Sequence, residues 1–182
     1  MEALNVLKRE HAAIERVLAL LAEAVSRAGA GRPVPRRFEP WVAEFLRYFA
    51  DRCHRCKEED ALFPLLLRRG VPGAGRAVAV LVNGHARARD CLSRMESAAG
   101  RDRAAFARAA AEYAALMWQQ MAREENGLFE AARRCLTGGD DAELLRRFRD
   151  VERRECDPAL HERYCEEAER WAEAFGLWPG KG

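Results

Sequence analysis

Two segments of the chain share a pattern of side chains that could bind metal. Residues 54–64 read HRCKEEDALFP, and residues 120–130 read QMAREENGLFE. Each segment begins with a polar side chain, carries a glutamate four residues later, and has Leu-Phe four and five residues after that glutamate. The repetition indicates that two parts of the chain present similar groups in the same order.

Four residues make about one turn of an α-helix, so the polar residue and the glutamate of each segment lie on one face. The first segment supplies His54 and Glu58, an imidazole and a carboxylate that can serve one first-row metal. The second supplies Gln120 and Glu124. It lacks the histidine, and a neutral amide oxygen is a weaker ligand for such a metal.

The elements that position these residues are predicted to be helices, because every long segment has apolar residues at helical spacing. The pattern predicts four long helices and two shorter ones, over 2–28, 38–69, 74–98, 102–136, 141–154 and 159–175. Pro64 is expected to kink the second helix or to end its regular part near residue 63.

The connections between the predicted helices are short and hold Gly and Pro. The sequence therefore predicts an all-α fold in which the long helices form an antiparallel up-down four-helix bundle. We expect residues 1–136 to form this bundle and residues 137–182 to form a C-terminal helical extension packed on it.

Six polar residues interrupt the apolar faces of the four long helices: His11, His54, Glu58, His85, Gln120 and Glu124. A buried carboxylate without a partner costs several kcal/mol, so these groups must satisfy one another or hold a cation. At about 1.5 Å of rise per residue, each helix brings its polar residues roughly 14 to 18 Å from the same end of the bundle. Glu59 and Glu125 point about 100° away from this face and are expected to contact solvent.

Composition argues against several other classes of function. The chain has 182 residues, with 31 basic and 29 acidic residues interleaved along it, and a net charge of +2. Interleaved charge argues against a nucleic-acid-binding surface. No apolar run approaches the roughly 18 residues that span a bilayer, and the charged N-terminal segment has no signal-peptide core, so we expect a cytoplasmic protein that does not bind membranes. The sequence identifies no protein partner.

The six cysteines are expected to be reduced thiols, as is usual in the cytosol. Cys53 and Cys56 form a CxxC pair, but at about 100° per residue both point away from the His54 face. A single CxxC pair is weak support for a zinc site. A thiol redox module that uses Cys53 and Cys56 stays open as an alternative function.

The polar residues resemble the pattern of the hemerythrin-like (HHE cation-binding) family, whose four-helix bundles hold a non-haem di-iron centre. That pattern has a histidine on the first helix, HxxxE on the second, a histidine on the third and HxxxE on the fourth. The matching residues are His11 in REHAAIE, His54 and Glu58 in CHRCKEEDALFP, His85 in NGHARAR, and Glu124 in EENGLF.

The resemblance covers about residues 1–136, and HERYCEEAERW resembles the extra C-terminal helix of bacterial members. The chain departs from the family at Gln120, where the family has histidine, and at Gly84, where bacterial members commonly have glutamate. Arg89 occupies the position of a further histidine in the oxygen-carrying members. His161 is the one remaining histidine, and the last helix could bring it to the site.

The resemblance implies a metal-ligand set of His11, His54, Glu58, His85, Glu124, Gln120 and His161. The two glutamates would bridge two irons, and the first two histidines would serve one of them. His85, with Gln120 or His161, would hold the second iron more weakly. Zinc is an alternative metal.

The function that the resemblance implies is the binding or sensing of a small ligand such as oxygen, nitric oxide or peroxide. Sensing, iron handling and peroxide turnover stay open, and so does enzymatic activity, because a fold does not determine a reaction. A metal-free helical interaction module with a decayed site is the alternative from another class.

Overall fold

The backbone of the molecule is almost entirely helical. The computed structural model describes residues 1–177, except for the side chains of Pro158, Ala159, His161 and Cys165. Its six helices are α1 (Glu2–Gly29), α2 (38–68), α3 (Ala74–Ala98), α4 (103–135), α5 (Gly138–Glu155) and α6 (Pro158–Phe175). Residues 1–177 contain no strand, so the predicted all-α class is confirmed. Within the same residues, no helix is both long and apolar enough to cross a membrane.

The first four helices run alternately up and down between two apolar clusters. The upper cluster takes one or more residues from each helix, including Leu18, Phe45, Leu92 and Phe106. The lower cluster does the same, including Leu4, Leu65, Val78 and Phe129. Because α1 and α3 run from the lower to the upper cluster while α2 and α4 return, the predicted antiparallel bundle is confirmed.

Helices α2 and α4 are continuous but contain wide turns. In α2, π-helical stretches at Leu46–Arg55 and Glu58–Leu62 precede a final α-helical segment, Phe63–Arg68. In α4, a π-helical turn at Glu124–Leu128 lies between two α-helical segments. A π turn holds more residues than an α turn and is frequent at functional sites. The second and third of these stretches begin at the two predicted bridging glutamates.

The predicted irregularity at Pro64 takes the form of a wide turn on its N-terminal side. Pro64 lies in the first turn of Phe63–Arg68, directly after the π-helical Glu58–Leu62. Proline has no backbone N–H to donate within a helix, so a regular α turn cannot precede it unbroken. The helix is therefore irregular before residue 63 and regular after it, and it continues to residue 68.

The last two helices pack outside the bundle. Phe148 of α5 belongs to the lower cluster, and Tyr164 of α6 belongs to the upper cluster. The backbone N–H groups of Glu2 and Ala3, in the first turn of α1, both donate to the Asp141 carboxylate at 2.9 Å. The division of the chain at residues 136 and 137 stays a prediction, because α5 and α6 share their apolar contacts with the bundle.

Candidate metal centre

The polar residues of the four long helices meet between the upper and lower clusters. His11, His54 and His85 are 1%, 2% and 1% exposed. The Nε2 atom of His11 lies 3.1 Å from Nε2 of His54. It also lies 3.2 Å from Oε2 of Glu124. Two helices that are adjacent in sequence thus bring two imidazole nitrogens next to one carboxylate.

The third imidazole lies on the other side of both glutamates. His85 Nε2 is 3.5 Å from Oε2 of Glu58 and 3.7 Å from Oε1 of Glu124. The other oxygen of Glu58 is 3.7 Å from Nε2 of His54. Each glutamate therefore has a histidine near each of its oxygens.

One group of four buried residues could hold a cation directly. A single ligand atom from each of His11, His54, Glu58 and Glu124 can be chosen so that all four lie within 4.8 Å of one another. Imidazole nitrogen and carboxylate oxygen suit iron or zinc. His85 faces the same two glutamates from the opposite side and could serve a second cation with them.

Each histidine is also held by a carboxylate behind its ring. The Nδ1 atoms lie within hydrogen-bond distance of these acceptors: Glu125 for His11 at 2.7 Å, Glu10 for His54 at 2.9 Å and Glu59 for His85 at 2.6 Å. An Nδ1–H group that donates to a carboxylate leaves the Nε2 lone pair free for a metal and fixes the orientation of the ring.

The expectation that Glu59 and Glu125 contact only solvent is wrong, and the wide turns explain why. A π turn holds more residues than an α turn, so each residue rotates through a smaller angle about the helix axis. Glu59 and Glu125 each follow the first residue of such a turn. They therefore stay close enough to the site to reach the histidine of a facing helix.

The two repeated sequence segments occupy equivalent places in the site. Phe63, in the first segment, stacks on His85 with ring centroids 5.9 Å apart. Phe129, in the second segment, stacks on His11 with ring centroids 5.7 Å apart. Each segment thus supplies two glutamates and a phenylalanine to the histidine of α1 or α3.

The site has two halves, one on α1 and α2 and the other on α3 and α4, and these halves differ at two positions. Glu10 and His54 in one half correspond to Gly84 and Gln120 in the other. A Cβ atom on Gly84 would lie 2.3 Å from Nε2 of Gln120, so the amide occupies the space of a side chain at position 84. Gln120 is 3% exposed, and neither of its amide atoms has a hydrogen-bond partner among the described side chains. The second half therefore lacks both the imidazole and its supporting carboxylate.

The carboxylate of Glu58 lacks the partners that a buried charge needs. Neither of its oxygens accepts a hydrogen bond within the part of the chain that the structure describes. Burial, together with the charge of Glu124, raises the pKa of Glu58 well above its ordinary range. A buried carboxylate without donors is costly, and a cation between the histidines would satisfy it. The residues present therefore fit a metal.

Burial lowers the pKa of His54 to about 4, so its ring is neutral at pH 7 and has a free lone pair. Burial also acts to lower the pKa of His11, but hydrogen bonds to Glu124 and Glu125 outweigh burial and raise it. Burial acts to raise the pKa of Glu124, and contacts with His11 and His85 outweigh this effect and lower it. Protons and a cation therefore compete for the facing atoms of His11 and Glu124.

A family model for the hemerythrin HHE cation binding domain matches residues 2–132. The chain belongs to the hemerythrin HHE cation-binding family. The match includes the three buried histidines, Glu58 and Glu124, and it ends within α4. Searches among curated proteins and among solved structures found no match. The family resemblance of the sequence is confirmed, and membership implies a domain that binds cations.

Two further positions named from the family pattern have different outcomes. His161 lies in α6, and its side chain is outside the described part of the structure, so its role as a ligand stays a prediction. Arg89 contacts Asp51 through Nε at 2.6 Å and Glu59 through Nη2 at 3.0 Å. In this family member, Arg89 therefore holds the carboxylate that supports His85.

The expectation that all six cysteines are free thiols is wrong for two of them. Cys53 forms a disulfide with Cys156, and their Cα atoms are 5.7 Å apart. The alternative pairing of Cys53 with Cys56 is not formed, because Cys56 is a free thiol. Burial and nearby carboxylates raise the pKa of Cys56 to about 11, which makes it a poor nucleophile. The partner of Cys53 is 103 residues away in sequence, a separation that local spacing could not reveal.

Proposed function

We propose that this protein binds two irons within its bundle, one tightly and one weakly, and uses them to bind or sense oxygen, nitric oxide or peroxide. The observation that best supports the proposal is the convergence of three imidazole Nε2 atoms on two buried glutamates. Thiolate ligands are absent from that group, and imidazole with carboxylate is a donor set that suits iron.

The tighter position would be formed by His11 and His54 with the two glutamates. Their ligand atoms already lie within 4.8 Å of one another, and both rings are oriented by carboxylates. His54 is also neutral at pH 7, so its ring does not have to lose a proton before iron binds. These residues would hold and orient the first iron.

The weaker position would be formed by His85 with the same two glutamates. Gln120, which takes the place of a fourth histidine, faces Gly84, and an amide oxygen is a poor ligand for iron. Fewer protein ligands leave more of the coordination sphere to solvent or to a small exogenous ligand. Iron, when bound, supplies the electron exchange that oxygen, nitric oxide and peroxide chemistry uses.

The experiment is an elemental analysis followed by a ligand titration. The protein is purified without a His-tag or chelators, reconstituted with Fe(II) under nitrogen, and analysed for iron and zinc. Nitric oxide and hydrogen peroxide are then added in separate samples while absorption and electron paramagnetic resonance spectra are recorded. We expect bound iron whose spectrum changes with at least one of these ligands.

Two results would contradict the proposal in different ways. If iron stays bound but its spectra do not change with any of these ligands, the protein handles iron and does not sense a small ligand. A preparation that takes up no metal after reconstitution would instead be a helical interaction module with a decayed site.

A further inference from the structure

The junction between α5 and α6 packs against α2 beside the metal centre. The Cys53–Cys156 disulfide joins the two, and Cys53 directly precedes His54 in a π-helical stretch of α2. Two ion pairs with exposed arginines cross the same boundary, Arg52 with Glu155 at 3.4 Å and Arg154 with Asp60 at 2.6 Å. Exposed ion pairs stabilise little, so the disulfide is the strong connection here.

The same junction also reaches the carboxylate that supports His54. Glu10 accepts a hydrogen bond from Nδ1 of His54 and another from Lys57 Nζ. Lys57 is 2% exposed, and its Nζ lies 2.7 Å from Oε1 of Glu152 on α5. The backbone N–H of Cys156 donates to the Glu152 carbonyl at 2.8 Å. A continuous series of contacts therefore connects Cys156 to His54.

We propose that Cys53 and Cys156 form a redox latch that controls how fast the centre loses metal. The disulfide holds the last turn of α5 on α2, which keeps Lys57 and Glu10 in place behind the His54 ring. When the disulfide is reduced, ion pairs and the hydrogen bonds between Tyr48 and Asp157 still contact this turn, but no cross-link holds it, and the ring is released more often. The effect on metal rests on the proposed function, whereas the effect on the α5–α6 junction does not.

The latch closes by exchange with a low-molecular-weight disulfide. One protein thiolate attacks a sulfur of that disulfide, which breaks its S–S bond, forms a mixed disulfide and releases one small thiol. The second protein thiolate then attacks the protein sulfur of the mixed disulfide and releases the second small thiol. Two protein thiols are oxidised, the small disulfide is reduced to two thiols, and the two protons pass to the released thiolates.

The test compares metal loss from oxidised and reduced protein. The reduced form is prepared with a phosphine reductant, which is then removed. Both forms are loaded with Fe(II) under nitrogen. Release of iron to a ferrous chelator is followed by absorption. We expect release to be about three- to tenfold faster from the reduced form, since a cross-link restricts opening of the segment that it closes. Equal rates in the two forms would overturn the latch.

The variants locate the effect and separate it from metal binding itself. Cys53→Ser and Cys156→Ser should release iron at the reduced rate under both conditions, whereas Cys56→Ser, the matched control on the same helix, should behave as wild type. Hydrogen exchange of residues 152–157 in the metal-free protein should speed up on reduction. If neither form binds iron, the proposed function fails. If reduction also leaves the hydrogen exchange of residues 152–157 unchanged, the latch is overturned as well.

Discussion

Glu58 and Glu124 occupy equivalent positions in the two repeated segments, yet their surroundings differ. Glu124 has His11 Nε2 at 3.2 Å, and its pKa is lowered. Glu58 has no hydrogen-bond donor among the described residues, and its pKa is raised. Of the two glutamates, Glu58 therefore takes up a proton more readily in the metal-free protein, and it is the one that gains most from a cation.

We predict that Glu58→Gln removes both metals and leaves the metal-free fold intact. A neutral amide cannot bridge two cations, but it resembles the protonated carboxyl group, so the free energy of unfolding should change by less than about 1 kcal/mol. Elemental analysis and urea unfolding measure the two effects. Asp60→Asn, which removes an exposed carboxylate two residues away, is the control and should keep its metal. Iron retained by Glu58→Gln at the wild-type level would show that Glu58 is not a bridge.

The supporting carboxylates give a second prediction at single residues. Glu125→Ala leaves Nδ1 of His11 without its acceptor, so iron affinity should fall roughly 10- to 100-fold. Glu130→Ala is the matched control, because Glu130 is an exposed glutamate on the same helix. Competition with a chelator of known affinity measures both variants. If the two variants bind iron equally well, Glu125 does not support the site.

The pKa directions of the site predict that iron binds more tightly as pH rises. The pKa values of Glu58 and His11 are both raised in the metal-free protein, so each group keeps its proton to a higher pH than usual, and a cation competes with that proton. Lowering the pH adds protons and weakens binding, whereas raising it removes them beforehand. Displacement of one proton changes affinity about tenfold per pH unit. Calorimetry in buffers of different ionisation enthalpy should detect the released protons, and binding that does not vary with pH would refute this prediction.

At the scale of helices, the sequence located the boundaries and the faces but not the wide turns. Apolar spacing predicted all six helices to within a few residues, and it placed the six polar residues at one level. Periodicity assumes a uniform rotation per residue, so it could not show that turns widen at Glu58 and Glu124. Each repeated segment has two consecutive glutamates, and this repetition was the sequence signal that could have identified Glu59 and Glu125 as site residues. Glu10 lies outside the repeated segments, directly before His11, so no repeated pattern marked it as a site residue.

Gly84 and Gln120 are expected to act as a coupled pair on neighbouring helices. Gln120→His alone should raise iron occupancy modestly, because the new imidazole would have no carboxylate behind it. Gly84→Glu alone should lower the thermal stability, because its Cβ would collide with the Gln120 amide. The double substitution supplies both ligand and support, so it should bind the second iron about 10- to 100-fold more tightly than Gln120→His. Additive effects of the two changes on iron affinity would show that the positions are independent.

Gly75→Ala is the control for the steric argument. Nothing lies within 4 Å of a Cβ atom added there, so the substitution should stabilise the helix by up to about 1 kcal/mol. Thermal unfolding of the glycine variants separates the collision at Gly84 from the ordinary effect of removing a helical glycine. A Gly84→Glu protein as stable as Gly75→Ala would show that Gln120 moves aside at no cost.

For the whole molecule, metal should contribute measurably to stability because it binds only the folded bundle. At a free iron concentration of 100 times Kd, binding stabilises the fold by about 2.7 kcal/mol. A change of 1 kcal/mol shifts Tm by about 2 to 4 °C in a chain of this size, so chelation should lower Tm by about 5 to 10 °C. Differential scanning calorimetry with and without a chelator measures the shift. The Glu58→Gln variant should show none, and an equal shift in that variant would assign the effect to the chelator.

The overall architecture could be predicted because each long helix has apolar residues at helical spacing along most of its length. The contacts of α5 and α6 could not be predicted, because they depend on where these two helices pack against the bundle. Cys156 meets Cys53, and Glu152 meets Lys57, only after α5 has folded back along α2. Pairings across such distances follow from tertiary packing, and no local spacing encodes them.

The most direct test of the two-position centre is native mass spectrometry during a stepwise addition of Fe(II) under nitrogen. We predict a one-iron species that forms first and a two-iron species that forms only at higher free iron, because the His85 side lacks a fourth histidine. In Glu58→Gln, neither species should appear. A wild-type chain that stays metal-free throughout the titration, or one that takes up both irons in a single cooperative step, would contradict this account.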